Sequence, residues 1–341
     1  MKLDKAKRMF SHIPKVTLGF FPTPLHRLER LSDELGINLY FKRDDFTGIG
    51  LFGGNKVRKL QYILADAVSK GAEYVFTFGA TQSNHAMQTA TACRKCGMKP
   101  VLYLMNFVQP DKELRGNLLL DKIMDAEVNI VQAGESESKR MAKDHMARLE
   151  KEGHRCYEIP GGAANGIGSA AYVEGYLEME EQAEQLKFKP DYIFHATGSS
   201  GTAAGLIAGR KLIDGNVKII SVSVADVGDT HQYAQTAANI ANSALQYIGA
   251  DITVEPEEFC IETNYYGRGY EIPSQEGTAA IKALALTEGI LVDPVYSGKA
   301  LSGMLDYIAS GKVPRGSNVV FWHTGGTTAL FAEKAIIGDL Y

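Results

Sequence analysis

Gly53-Gly54-Asn55-Lys56 stands at the head of an amphipathic pattern, and a second Gly/Ser/Thr run, Thr197-Gly198-Ser199-Ser200-Gly201-Thr202, lies far along the chain. From Val57 the apolar residues Val57, Leu60, Leu64, Ala67 and Val68 recur at intervals of three and four, which predicts a helix packed on one face and closed by Gly71. Lys56 falls on its first turn, where the positive end of the helix dipole favours a neutral amine or a bound anion over a cation. An exposed lysine after a glycine turn is the alternative for these four residues alone, so other segments must decide. The distant run offers consecutive backbone N–H groups and hydroxyls just before a helix, an arrangement that cradles a phosphate. It lacks the Gly-Lys-Ser/Thr ending of a Walker loop, since Thr202 is followed by Ala203-Ala204-Gly205, and a single phosphate without metal fits it better. Together the two segments suggest a lysine that holds an aldehyde cofactor.

The elements around them follow an α/β pattern. Short apolar or β-branched runs at 74–78, 101–105, 128–131, 156–159, 192–196, 217–224 and 319–323 alternate with helical patterns, which predicts parallel sheets covered by helices on both faces. In such sheets ligands collect where strand ends meet helix N-termini. Four strand ends lead into polar Gly-rich loops: Gly79-Ala80-Thr81-Gln82-Ser83-Asn84-His85, Pro160-Gly161-Gly162-Ala163-Ala164-Asn165, the Thr197–Thr202 run, and His323-Thr324-Gly325-Gly326-Thr327. The competing dinucleotide motif, Gly166-Ile167-Gly168-Ser169-Ala170-Ala171, lacks the ribose-binding acid at the end of the next strand.

At 341 residues the chain favours two domains sharing a cleft. With 36 basic and 40 acidic residues and a net charge of -4 it carries no basic run dense enough for nucleic acid or a membrane surface, so a small molecule is the expected partner. Four cysteines are too few for a disulfide framework and argue for a reducing compartment. The first residues lack the apolar run of a signal or a membrane span, so a cytoplasmic protein is expected. Cys93 and Cys96 form a C-x-x-C at the end of a helix running from about Asn84 to Cys96, but no second pair or His pair stands at metal-ligand spacing, and no metal site is expected.

Five segments in order, Gly53-Gly54-Asn55-Lys56-Val57-Arg58-Lys59-Leu60, Gln82-Ser83-Asn84-His85, Thr197–Thr202, Asp293-Pro294-Val295-Tyr296-Ser297-Gly298-Lys299 and His323-Thr324-Gly325-Gly326, resemble the motifs of the pyridoxal-phosphate enzymes that include 1-aminocyclopropane-1-carboxylate deaminase, D-cysteine desulfhydrase and L-cysteate sulfo-lyase. The resemblance spans nearly the whole chain. It implies the two-domain fold type II of pyridoxal 5'-phosphate enzymes, the tryptophan-synthase-β-like fold, with parallel-rich twisted sheets and the cofactor in the interdomain cleft. On that reading residues 1–50 and 162–341 form a large cofactor-binding domain and 51–161 a small α/β domain. The resemblance also implies a homodimer. Lys56 would form the internal Schiff base, Asn84 would hold the cofactor's ring hydroxyl, and Lys59 with Thr197, Gly198, Ser199, Ser200, Gly201 and Thr202 would bind its phosphate. Thr324 would face the pyridine nitrogen. Ser83, Asn84, His85 and Tyr296 would contact the substrate, with Lys56, Ser83, Tyr270 and Tyr296 catalytic. Among 16 tyrosines, Tyr270 and Tyr296 are singled out by motif position only.

The chemistry accounts for these residue types. A substrate amino acid that displaces Lys56 from the aldehyde has its Cα–H acidified, the freed amine can take that proton, and a group on Cβ can leave, giving pyruvate and ammonia. Ring-opening deaminases of the family carry a glutamate where this chain has Ser297 and a leucine where it has Thr324. A neutral hydroxyl moderates the electron sink that a carboxylate would strengthen. The expected activity is therefore a carbon–sulfur lyase acting on D-cysteine, with L-cysteate the alternative and ring opening less favoured. A sulfonate leaving group needs a cation, for which Arg268, two residues before Tyr270, is a candidate, a solvated loop arginine being the other reading. A cofactor-free protein that binds a phosphorylated ligand is the expectation from a different class.

Overall fold

The computed structural model describes residues 2–48, 50, 53–106, 114–132 and 134–332. The chain opens with α1 (Leu3–Arg8), β1 (Leu25–Arg27), α2 (Glu29–Leu35) and β2 (Asn38–Arg43). A second segment runs through α3 (Asn55–Ser69), β3 (Tyr74–Ala80), α4 (Asn84–Lys95), β4 (Lys99–Met105), α5 (Gly116–Ile123), β5 (Glu127–Val131), α6 (Glu135–Lys151) and β6 (Cys156–Ile159). The third holds α7 (Gly166–Gln185), β7 (Tyr192–Thr197), α8 (Gly201–Leu212), β8 (Lys218–Ser223), α9 (Thr230–Tyr247), β9 (Cys260–Glu262), α10 (Gln275–Glu288), α11 (Ser297–Ala309) and β10 (Asn318–His323).

Two sheets result. The smaller has the order β5-β4-β3-β6 and is parallel throughout; the larger has the order β1-β2-β10-β7-β8-β9 and is parallel except where β1 meets β2. The strands β7, β8 and β10 are buried along almost their whole length, as strands covered by helices on both faces must be. On one face of the large sheet Ile193, Val320 and Trp322 pack with Tyr172, Tyr176, Leu206 and Ile207 of α7 and α8. On the other, Phe41, Phe194, Ile220 and Phe321 pack with Leu301 and Met304 of α11. Val57, Leu60, Ile63, Leu64 and Ala67 of α3 pack with Val75 and Ile159 of the small sheet. Of the predicted stripe only Val68 is exposed, but every residue from Val57 to Ala65 is buried, so the helix is enclosed rather than packed on one face. The expected domain boundary at residue 51 lies outside the described residues.

All seven predicted strands are present, several longer by one or two residues. β1, β2 and β9 were not predicted: β1 and β9 have only three residues each, and β2 (Asn38–Arg43) opens on the polar Asn38 and ends in the charged Lys42-Arg43, which blurs its pattern. The predicted helix to Cys96 ends at Lys95, with Cys96 as its C-cap. Cys93 is sealed in the core and burial pushes its thiol up, which disfavours the reactive thiolate. Among the described residues no cluster of His, Cys, Asp and Glu could hold a metal, and no helix is long and apolar enough to cross a membrane.

The head of α3 is held by the large sheet. Gly54 and Gly325 form an isolated antiparallel bridge, and Asn55 N donates to Thr324 O at 3.0 Å. A Cβ at Gly325, which has φ 85°, would stand 2.6 Å from Gly53 O, so this approach requires glycine. One turn on, Arg58 donates to both oxygens of the fully buried Asp44 and to Glu178, while Asp44 also accepts from Tyr172 and Trp322. Desolvation raises the Asp44 carboxyl, but Arg58 beside it wins and holds it down at about 2. This buried ionic network joins α3, α7 and β10 immediately behind Lys56 and Thr324.

Candidate active site

A cleft of about 670 Å³ is lined by residues from both sheets. Lys56 of α3, Ser83, Asn84 and His85 of the β3–α4 junction, Gly162, the Thr197–Thr202 loop, Tyr270, Tyr296 and Thr324 all face it. Every site residue expected from the sequence is thus brought to one place, except Lys59, whose side chain lies fully buried behind the loop.

At the cleft floor Lys56 Nζ donates to Gly162 O at 3.1 Å, and Lys59 Nζ donates to the same oxygen at 3.3 Å. Neither amine has a carboxylate partner among the described residues. Desolvation lowers Lys56 to about 8, and it lowers Lys59 well below its ordinary value with help from the Lys56 charge. Gly162, at φ 68°, was not among the expected site residues, yet a Cβ there would collide with Ser199 Oγ and lie 3.3 Å from Lys56 Nζ. A buried Lys59 and a half-buried Lys56, neither with a counter-charge among the described residues and both beside a loop of main-chain donors, fit a phosphorylated aldehyde: the phosphate would neutralise Lys59 and the carbonyl carbon would meet Lys56.

The phosphate loop is braced from outside. Thr197 Oγ1 lies 3.0 Å from Tyr233 OH, which donates to Gly198 O at 2.7 Å, and Asn55 Nδ2 donates to Thr202 Oγ1 at 3.2 Å. Ser200 takes the left-handed conformation at φ 63° to turn the chain into α8. A Cβ at Gly201 would stand 2.8 Å from Lys59 Nζ, which places that amine directly beneath the loop.

On the opposite wall, Ser83 is the N-cap of α4: its Oγ accepts from Ala86 N at 3.2 Å, leaving the hydroxyl proton to be donated elsewhere. A Cβ at Gly79 would be 2.5 Å from that Oγ, so the serine needs its glycine neighbour. Asn84 Oδ1 accepts from Asn117 Nδ2 at 2.8 Å, which leaves Asn84 Nδ2 as the donor that can face a ring hydroxyl. His85 Nε2 lies 2.8 Å from Thr77 Oγ1, and desolvation, with Lys56 and Lys59 adding to it, keeps the imidazole neutral.

Tyr270 and Tyr296 meet hydroxyl to hydroxyl, with ring centroids 5.9 Å apart and planes at 75°. Burial pushes both phenols above their ordinary range, so both stay protonated. Asp293 sets Tyr296: its carboxylate accepts from Tyr296 N at 2.8 Å and from Ser297 N and Oγ at 2.7 and 2.5 Å. Ser297 is therefore turned toward Asp293 and does not line the cleft; Thr324 does. Arg268 is exposed and is not among the cleft-lining residues. Asn117 and Tyr233 carried no sequence signal, whereas Asp293 and Lys299 stood inside a quoted motif without an assigned role.

The fold and the lysine–phosphate-loop site define a pyridoxal-phosphate enzyme. The family model described as pyridoxal-phosphate dependent enzyme matches residues 16–325, and the chain belongs to that family. A putative 1-aminocyclopropane-1-carboxylate deaminase of Thermotoga maritima is 40% identical over 321 residues, 94% of this chain and 98% of that protein. A D-cysteine desulfhydrase of Klebsiella pneumoniae (strain 342) is 39% identical over 330 residues, 94% of this chain and 97% of that protein. Among solved structures, an ACC deaminase homologue superposes with a TM-score of 0.86 at 36% identity, covering 96% of each chain.

Proposed function

We propose that the protein is a carbon–sulfur lyase that converts D-cysteine to pyruvate, ammonia and hydrogen sulfide. One observation carries the choice of leaving group: no arginine lines the cleft among the described residues, and its lysines are Lys56 at the floor and Lys139, already paired with Glu135 at 2.6 Å. A substrate with one carboxylate and an uncharged Cβ group suits that lining, whereas the sulfonate of L-cysteate would enter without a counter-charge. The D configuration is supported by the name of the Klebsiella relative. The neutral Thr324 hydroxyl, with Ser297 committed to Asp293, supports elimination over ring opening.

When bound, pyridoxal phosphate withdraws electrons from the substrate Cα and acidifies its proton. Lys56, with its amine lowered to about 8, is available as the neutral base that takes it. Ser83 donates its free proton to the substrate carboxylate, and Asn84 Nδ2 and the Thr197–Thr202 amides orient the ring and phosphate. The Cβ–S bond then breaks with its electron pair on sulfur, and the phenol pair supplies the proton that releases hydrogen sulfide. The three-carbon enamine hydrolyses to pyruvate and ammonia. A homodimer in the cytoplasm, divided into a domain of residues 1–50 and 162–341 and one of 51–161, completes the proposal; sedimentation equilibrium and limited proteolysis test the assembly and the division.

The test is 2-oxo acid release under identical conditions: pyruvate from D-cysteine, L-cysteine and L-cysteate, and the four-carbon 2-oxobutanoate from 1-aminocyclopropane-1-carboxylate. Turnover highest with D-cysteine is expected, and turnover of the cyclopropane alone overturns the elimination reading. Lys56→Ala should abolish both turnover and the visible absorption of the lysine-bound cofactor.

A further inference from the structure

Lys299 closes the motif that contains Asp293, Tyr296 and Ser297, yet none of the chemistry above uses it. Its side chain is fully buried on the first turn of α11, where the positive end of the helix dipole disfavours an ammonium. Desolvation lowers the amine to about 8, with Asp293 opposing. Asp293 does not pair with it, because that carboxylate already accepts from Val295 N, Tyr296 N, Ser297 N and Ser297 Oγ. Lys299 Nζ instead donates to two main-chain carbonyls, Gly269 O at 2.8 Å and Val224 O at 3.3 Å. Val224 lines the cleft, and Gly269 directly precedes Tyr270, which lines it too.

Tyr270 sits in a stretch of backbone that needs holding. Gly267 has φ 68°, Gly269 has φ 136° and Glu271, a residue with a side chain, has φ 63°. Such conformations persist where the surrounding structure enforces them. Tyr296 is the N-cap of α11 and Lys299 stands three residues later, so one helix end sets one phenol directly and reaches the other through Gly269.

We propose that Lys299 is a positioning residue for the tyrosine pair: by holding the Gly269 carbonyl it fixes Tyr270 against Tyr296 at the reacting end of the cleft. The inference rests on the reading above, in which the pair serves the leaving group. A variant with Lys299→Met keeps the volume of the stem and removes the donor. In the holoenzyme its kcat for pyruvate release should fall about 10- to 100-fold with KM within about twofold, the scale of a misplaced group in a positioned site. Tyr270→Phe should fall by a similar factor, and the double variant should be no slower than Tyr270→Phe alone, because both changes remove the same placed phenol. Independent of turnover, trypsin cleavage after the exposed Arg268 should speed up about tenfold or more as the loop loses its anchor.

Losses that multiply in the double variant, or a Lys299→Met enzyme with unchanged kcat and unchanged cleavage after Arg268, overturn the proposal. If wild-type enzyme releases no pyruvate from D-cysteine, the reaction reading has failed, and the cleavage comparison still judges Lys299. If Lys299→Met yields no folded holoenzyme, Lys299→Leu, which also removes the donor and leaves a shorter apolar stem, carries the same comparisons, and cleavage after Arg268 at the wild-type rate together with wild-type kcat overturns the proposal there.

Discussion

Lys56 and Lys59, one turn apart on α3, donate to the same acceptor, the carbonyl oxygen of Gly162, at 3.1 and 3.3 Å. A neutral oxygen cannot compensate two ammonium groups, one buried and one half-buried, and desolvation depresses both amines accordingly. The division of labour follows from position: Lys56 lines the cleft, while Lys59 lies beneath Gly201 at the phosphate loop.

Lys59→Met removes the cation beneath the loop and keeps most of its volume. The variant should bind pyridoxal phosphate about 10- to 150-fold more weakly, the equivalent of one hydrogen bond to a charged group at about 1.5–3 kcal/mol. Titrating the visible band of the apo-protein with cofactor measures this. An affinity within about twofold of wild type would remove Lys59 from the phosphate site.

Gly162→Ala tests the floor from the other side. The residue sits at φ 68°, which costs an L side chain about 1–2 kcal/mol, and its Cβ would collide with Ser199 Oγ and crowd Lys56 Nζ. Cofactor content should drop sharply. Adding Ser199→Gly should recover part of it, since the collision goes and the backbone strain stays; a variant that retains full cofactor content on its own contradicts the close approach.

Asp44 is fully buried and accepts from Thr23, Arg58, Tyr172 and Trp322. Asp44→Asn leaves Arg58 short of a charge partner and should cost about 3–5 kcal/mol, read as a lower urea midpoint at constant slope. The sign with pH follows from the carboxyl being held at about 2, below its unfolded value of 3.8. Its contribution is fully present above about pH 4 and is lost as pH falls toward 2, so the gap between wild type and variant should narrow over that window.

The lysine, the phosphate loop, the Ser83-Asn84-His85 wall and Thr324 were legible in the sequence because each sits at a strand end or helix head, where glycine and polar residues interrupt apolar runs. Seven strands were legible for the same reason, whereas β2, at six residues, was not, because it ends in Lys42-Arg43. Gly162 was visible only as part of a Gly-rich loop; what singles it out is the proximity of Ser199 and Lys56, a contact across 37 and 106 residues of chain that no local pattern encodes. Asn117 lies on α5 and Tyr233 on α9, both reading as ordinary helix residues, and their roles exist only through hydrogen bonds to Asn84 and Gly198. Ser297 shows the converse. Its motif position suggested a group near the pyridine nitrogen, but the packed Asp293 carboxylate captures its hydroxyl.

Lys56 also sets a pH dependence for cofactor capture. Only the neutral amine attacks an aldehyde, and desolvation lowers this amine from 10.5 to about 8. The fraction deprotonated is then about one tenth at pH 7, one half at pH 8 and nine tenths at pH 9. Apo-protein mixed with excess pyridoxal phosphate should therefore develop its visible band about fivefold faster at pH 8 than at pH 7 and gain less than about twofold more by pH 9. A solvated lysine would keep gaining about tenfold per pH unit through the same range. That slope, if measured, would place the amine in water and displace Lys56 from the cleft floor. Repeating the series with Lys59→Met separates the two amines: because desolvation accounts for the Lys56 shift, the midpoint should stay near 8 even though the affinity falls.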